Sequence, residues 1–352
     1  MFKFISKWWN AIDKVNFLII ITMATIGVIL SFSINKDSSF FNKHLLHSTS
    51  AITLMIIVSS IDIKSLRRLS LVGLIIFTIM LISILLLEYE IKGSKRWLKI
   101  GSMSIQPSEF IKPFFLILSA WFLSKGIEGK KIYLNILFLS FFILAGLIIL
   151  QPDFGMTFLF SASFFCQLFI AGLSVFLVVI AIFMLIALSV TSYYMFDHVQ
   201  KRIIAFFDTS VDTYQIDLSL KAFQTGGFFG KGPGQGILKE KIPDANTDFI
   251  FAVAGEELGF IFCSLIILLI FIIIFRFLFQ LLRYKEPYVI IAIVGLTCSY
   301  GLQSFINIFS ALALIPTTGM TLPLVSYGGS SMISSAILFG FLLSLTKQKN
   351  EK

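Results

Sequence analysis

The chain has 352 residues, of which 57% are hydrophobic and 13% charged, and its mean hydropathy is +0.94. A soluble domain carries about 25% charged and about 45–50% apolar residues, so a water-soluble fold is excluded: too little polar surface remains to cover it. The net charge of +9 is not a nucleic-acid footprint, because the basic residues lie in short clusters between apolar runs, as anionic lipid surfaces and membrane topology require.

A spanning helix needs about 20 mostly apolar residues. Ten such runs occur, at 16–34, 45–61, 69–88, 109–125, 132–150, 156–173, 174–196, 249–275, 288–312 and 322–345. The expected fold class is therefore all-α, a polytopic membrane helix bundle forming a single domain over 1–352. The first run lacks a small-residue cleavage site and reads as a span rather than a signal peptide. Pro152 and Gly155 in the stretch 151–155 interrupt helix, which predicts a turn at the membrane edge. Cys166, Cys263 and Cys298 all fall inside apolar runs without metal-ligand spacing and read as small core residues.

Lys and Arg set the orientation. Three basic residues fall in each of the segments 3–14, 64–68, 125–131, 276–285 and 347–352, which places these segments and both termini on the inner side. The short outer stretch 89–108 is an exception, with Lys92, Lys95, Arg96 and Lys99. The other outer stretch, 197–247, is a long extracytoplasmic loop, and long loops without a fold of their own are often functional.

Four constellations could carry chemistry. The first is Gly93-Ser94-Lys95-Arg96-Trp97 followed by Gln106-Pro107-Ser108-Glu109 and Lys112. Pro107 suits the first turn of a helix, which puts Glu109 and Lys112 on one face within reach of each other. Charges at membrane depth pair or line a cavity, so the two residues either fix helix packing or form a polar cavity wall. Arg96, beside Trp97, suits a diphosphate head group, although basic residues here could also simply reach for the interface.

The second constellation is Tyr214-Gln215-Ile216-Asp217 and the glycine-rich run 226–236, with Lys231. A nucleotide site does not fit, because no strand precedes it and Pro233 interrupts the spacing. Glycine here implies tight turns or close approach to a partner or substrate. The third is Pro243-Asp244-Ala245-Asn246-Thr247-Asp248-Phe249-Ile250-Phe251-Ala252, leading into Gly255-Glu256-Glu257-Leu258-Gly259. On a regular helix opening at Asp248, Gly255 and Gly259 lie within about 20° of the aspartate, Glu256 lies about 80° round and roughly 12 Å deeper, and Glu257 lies about 180° away. Small residues four apart permit close helix contact, which aims Asp248 into the bundle. Two roles suit it: an N-terminal cap, or a general base in a mostly apolar cavity, where burial raises a carboxylate's pKa. The fourth is the run 315–331, Ile-Pro-Thr-Thr-Gly-Met-Thr-Leu-Pro-Leu-Val-Ser-Tyr-Gly-Gly-Ser-Ser. Its small and polar residues predict a helix break facing protein rather than lipid.

These stretches resemble the SEDS family of peptidoglycan glycosyltransferases, from about Gly93 onward. The most specific runs are Thr247-Asp248-Phe249-Ile250-Phe251-Ala252 with Gly255-Glu256-Glu257-Leu258-Gly259, and Leu322-Pro323-Leu324-Val325-Ser326-Tyr327-Gly328-Gly329-Ser330-Ser331. Gln106-Pro107-Ser108-Glu109 and Gln151-Pro152-Asp153-Phe154-Gly155 add independent support. The form Pro316-Thr317-Thr318-Gly319-Met320-Thr321-Leu322-Pro323 is closer to the cell-division branch than to the elongation branch.

The resemblance implies polymerisation of lipid II into glycan strands at the septum, with undecaprenyl diphosphate released. It assigns the catalytic carboxylate to Asp248, and substrate binding to Arg96, Glu109, Lys112, Asp153, Arg202, Lys231 and Ser326. It further implies no organic cofactor, a divalent cation (Mg or Mn), and a bacterial inner membrane shared with membrane lipids, a class B penicillin-binding transpeptidase and other division proteins. One departure stands out: the family commonly has His two residues before the aspartate, where this chain has Asn246, so that position is not an essential proton shuttle here. Two other classes remain open, a lipid II flippase that needs no base at Asp248 and a scaffold that needs no buried carboxylate.

Overall fold

The computed structural model describes residues 2–34, 38–86, 96–101, 103–172 and 214–347, with isolated positions between 179 and 204. Most of the expected span 174–196, and Arg202, lie outside the described residues. Eleven helices occur among the described residues: α1 Phe2–Ala11, α2 Lys14–Ile34, α3 Ser38–Ser60, α4 Ile63–Leu86, α5 Pro107–Ile127, α6 Lys131–Leu150, α7 Phe154–Ile170, α8 Tyr214–Gly226, α9 Ile250–Gln280, α10 Pro287–Ala311 and α11 Gly329–Leu345. An antiparallel hairpin of β1 Leu98–Ile100 and β2 Met103–Ile105 pairs Leu98 with Ile105 just ahead of α5.

Six of these helices, α2, α4, α5, α6, α9 and α10, are long and apolar enough to cross a membrane, and α7 and α11 are shorter apolar helices. Their starts follow local chemistry. Pro107 and Pro287 open α5 and α10, where the missing N–H has no intrahelical partner to lose. Asp153 caps α7, its Oδ1 accepting the Met156 N–H at 3.3 Å, so the expected turn after α6 is present.

Helices α5 and α10, with the shorter α11, form the interior. In the apolar window of α5, 72% of residues are buried, and in α10, 78%, against 22–28% in α4, α6 and α9. The second group presents the lipid belt, with Ile75, Ile79, Leu139, Phe142, Leu268 and Phe275 exposed. Phenylalanines tie α5, α6 and α7 together: Phe115 and Phe160 are 4.8 Å apart, and Phe141 stacks on Phe164 at 4.6 Å.

Three features depart from the periodicity. The segment after Tyr214 is not an open loop but helix α8, packed on α9. Gly226 and Gly255 meet there backbone to backbone, with no room for a Cβ on either. The run expected as a span from 322 becomes helix only at Gly329. Residues 315–328 are irregular, and Leu322, Leu324, Val325 and Ser326 are buried, as unpaired backbone at membrane depth must be. Finally, α9 breaks at Gly259, where φ is 77° and ψ −177°. A helical wheel therefore cannot be carried through this residue.

The basic segments expected on the inner side gather at one end of the bundle. Asp13, Lys14, Arg67, Lys125, Arg276, Arg283 and Lys347 line a single cavity of about 1830 Å³. Arg276 and Asp13 form a two-bond ion pair across it at 2.8 and 2.9 Å.

Candidate active site

Asp248 does not open α9. Residues 241–249 run through successive turns, and α9 starts at Ile250 with Phe249 in the capping position and no side-chain cap bond. Asp248 is half-buried in the last of these turns. Its backbone is fixed from two other segments. The carbonyl of Asn246 accepts the Tyr327 N–H at 2.9 Å. That of Thr247 accepts the Ser326 hydroxyl at 2.5 Å, and that of Asp248 accepts Asn307 Nδ2 at 2.8 Å. The Ser326 hydroxyl also accepts the Leu322 N–H at 2.8 Å. Ser326 thus holds the aspartate loop, and both of its hydroxyl bonds are internal.

Glu109 and Lys112 are 5% and 2% exposed, and Lys112 Nζ lies 2.7 Å from Glu109 Oε2. The same ammonium donates to Gln303 Oε1 on α10 at 2.7 Å, while Gln303 Nε2 donates to the Thr321 carbonyl at 3.2 Å. Thr321 in turn bonds Ser331 through the two hydroxyls at 2.5 Å. The i,i+3 pair is therefore one end of a polar chain running from α5 through α10 to the irregular segment.

Arg96 and Asp153 are also brought together. Arg96 Nη1 lies 3.5 Å from Asp153 Oδ1, and the guanidinium bonds the carbonyls of Gln151 and Pro152. Gln106 Nε2 donates to Asp153 Oδ2 at 3.1 Å, and its N–H donates to Ser330 Oγ at 3.0 Å. Arg96, Asp153, Glu109, Lys112 and Ser326 thus all belong to bonded networks that end on the segment 320–331, and Asp248 hangs from it.

Lys231 is joined to a different group. Its ammonium lies 3.0 Å from Glu256 Oε1, and the same carboxylate accepts the N–H groups of Ile237, Leu238 and Lys239 at 2.9–3.1 Å. Glu257 pairs with Lys239 at 2.6 Å and accepts the Ser33 hydroxyl on α2. The two glutamates therefore bind the glycine-rich segment down onto the bundle. Gly230 (φ 76°) lies directly against the Glu257 backbone, which is the close approach its residue type implied.

A divalent cation would need oxygen ligands. Among the described residues no three His, Cys, Asp or Glu side chains converge. The buried carboxylates Glu109, Asp153, Glu256 and Glu257 already face Lys112, Arg96, Lys231 and Lys239. The described residues thus do not form an all-protein cation cage.

Asn307, Gln303 and Lys239 were not apparent from the sequence. The available signal was faint: two amide side chains one turn apart in an otherwise apolar helix, and one lysine among several in a loop.

The profile of the FtsW/RodA/SpoVE family, described as "Cell cycle protein", matches residues 8–351. The chain belongs to this family. It is 33% identical over 98% of its length to the probable peptidoglycan glycosyltransferase FtsW of Caulobacter vibrioides, covering 92% of that protein. To the probable peptidoglycan glycosyltransferase FtsW of Idiomarina loihiensis it is 37% identical, over 78% of this chain and 70% of that one. Among solved structures, it superposes with a TM-score of 0.80 on a chain from "Structural coordination of polymerization and crosslinking by a peptidoglycan synthase complex", at 24% identity over 96% and 98% of the two chains. Thermus thermophilus RodA gives 0.73 at 23% identity, over 96% of this chain and 97% of that one. These two share the helical membrane fold.

Proposed function

We propose that this chain is a peptidoglycan glycosyltransferase that polymerises lipid II at the division septum, with Asp248 as general base. The observation carrying this reading is the setting of Asp248: a half-buried carboxylate outside any helix, on a turn whose three consecutive carbonyls are clamped by the segment 320–327 and by α10. The names of the FtsW relatives support the reaction class.

In the reaction, the 4-hydroxyl of the acceptor sugar attacks the anomeric carbon of the donor. Asp248 takes the hydroxyl proton as the new C–O bond forms. The bond from the anomeric carbon to the diphosphate breaks, and its electron pair leaves with undecaprenyl diphosphate. That departing charge needs neutralisation, which falls to basic side chains at the same end of the bundle, with Arg96 the best placed because it bonds the rim of α7. Arg202 and Lys231 are further candidates, Lys231 only if it leaves Glu256. A divalent cation, if used, would rest mainly on the substrate's phosphates.

The likeness to a chain of a peptidoglycan synthase complex, in which polymerization is coordinated with crosslinking, supports a transpeptidase partner, here of the penicillin-binding class. The clustering of five basic segments around one cavity supports an inner-membrane topology with both termini cytoplasmic. The test is a gel for glycan polymer, using purified protein and labelled lipid II with and without the transpeptidase. Folded protein that makes no polymer under either condition would remove this reading.

A further inference from the structure

We infer that Asn307 is a positioning residue for Asp248, working with Ser326 to hold the aspartate's backbone in its reactive place. This inference rests on the assignment of Asp248 as the base. Neither residue touches the reacting atoms; both act through the turn that carries the carboxylate.

The need for such a device follows from the local fold. Asp248 lies ahead of α9 in a run of turns, so no helical ladder sets the direction of its side chain. Three successive carbonyls, those of 246, 247 and 248, instead take donors from elsewhere. Asn307 does more than satisfy one of them. Its Nδ2 lies 2.8 Å from the Asp248 carbonyl and 2.6 Å from the Met320 carbonyl, and one amide nitrogen has two N–H groups to give. A single side chain therefore locks the catalytic turn to the irregular segment.

Gln303, one turn earlier on α10, does the matching job on the other side. It carries the Lys112–Glu109 pair on its oxygen and the Thr321 carbonyl on its nitrogen. Residues 320 and 321 are thus gripped from one face of α10, the most buried of the six long apolar helices. Asn307 is itself 1% exposed. Two donated bonds from this one nitrogen tie the backbones of 248 and 320 together, and a base displaced by about 1 Å can lose about 100-fold in rate.

The test uses the full-length chain, with transpeptidase where activity requires it, and steady-state polymerisation of labelled lipid II. Asn307→Ala removes both donors, and Ser326→Ala removes the hydroxyl that fixes the neighbouring carbonyl. Each is expected to lower kcat about 10–100-fold while leaving the KM for lipid II within about twofold, and Ser326→Thr, which keeps the hydroxyl, is expected to restore most of the rate. A purely structural role would instead lower folded yield with kcat per folded molecule unchanged. Should Asn307→Ala fail to fold, the Ser326 pair of variants decides alone. Wild-type kcat in folded Asn307→Ala and Ser326→Ala, with Asp248→Asn inactive, would overturn the positioning role and leave the base in place. An active Asp248→Asn would overturn both.

Discussion

Lys239 Nζ lies 2.6 Å from Glu257 Oε1, and the two side chains are 3% and 1% exposed. The pair fastens the segment after the glycine-rich run to α9, and the same ammonium reaches the Ser33 carbonyl on α2 at 2.5 Å. Breaking a buried pair by removing one partner leaves a stranded charge and typically costs about 3–5 kcal/mol. Glu257→Gln and Lys239→Met should each lower thermal stability in detergent and expose 231–241 to protease. The double variant should be less destabilised than the sum of the two. Additive losses with unchanged proteolysis would rule out a clamp.

The Glu109–Lys112 pair should show similar coupling, for a different purpose. Lys112 holds Gln303, and Gln303 holds the segment beside Asp248. Glu109→Gln removes the countercharge but keeps an oxygen that can accept from the ammonium, whereas Lys112→Met also releases Gln303. The lysine change is therefore expected to be the more harmful to polymerisation. A double-mutant cycle on thermal stability should give about 0.5–3 kcal/mol of coupling, and none would mean the pair is not energetically real.

Much of this was legible in the chain itself, for physical reasons. Pro107 sets φ and opens a helix, so an i,i+3 Glu–Lys pair had only one neighbourly geometry. The Gln151–Gly155 turn and the helix break in 315–331 were legible because proline and glycine act locally. The surroundings of Asp248 were not. The wheel from 248 to 259 assumed regular helix, yet α9 begins at Ile250 and breaks at Gly259. The Asn307 contacts join residues 59 and 13 positions apart, which no local pattern encodes. Gly255 did predict close contact, but its neighbour is α8 rather than another span.

Asp248→Asn separates a base from a merely structural aspartate. It keeps the size and leaves every backbone bond to residues 246–248 available. General-base catalysis is worth about 10²–10⁴-fold, so polymer formation should fall by that factor in protein that still folds and still binds its transpeptidase. Near-normal polymer from the folded variant would end the catalytic assignment.

Orientation can be checked independently of chemistry. Gln235 and Lys130 are both exposed, and the basic clusters put Lys130 inside and Gln235 outside. With Cys166, Cys263 and Cys298 replaced, an impermeant thiol reagent added to whole cells should label Gln235→Cys and spare Lys130→Cys. The opposite pattern would invert the topology.

The backbone break at Gly259 has a bearing on how this protein meets its bilayer. Below it, α9 is one of the most lipid-facing helices in the bundle, with Leu265, Leu268, Phe275 and Phe279 exposed. Such a helix tilts to match the thickness of the hydrocarbon around it. Above it, residues 250–257 are buried without exception and lead directly from Asp248. At the break the Phe260 and Ile261 N–H groups leave the helical ladder and bond the carbonyls of Gly227 and Phe228. The end of α8 therefore grips α9 where its lipid-facing rod meets the buried piece, and the stretch leading from Asp248 is anchored by protein rather than by lipid.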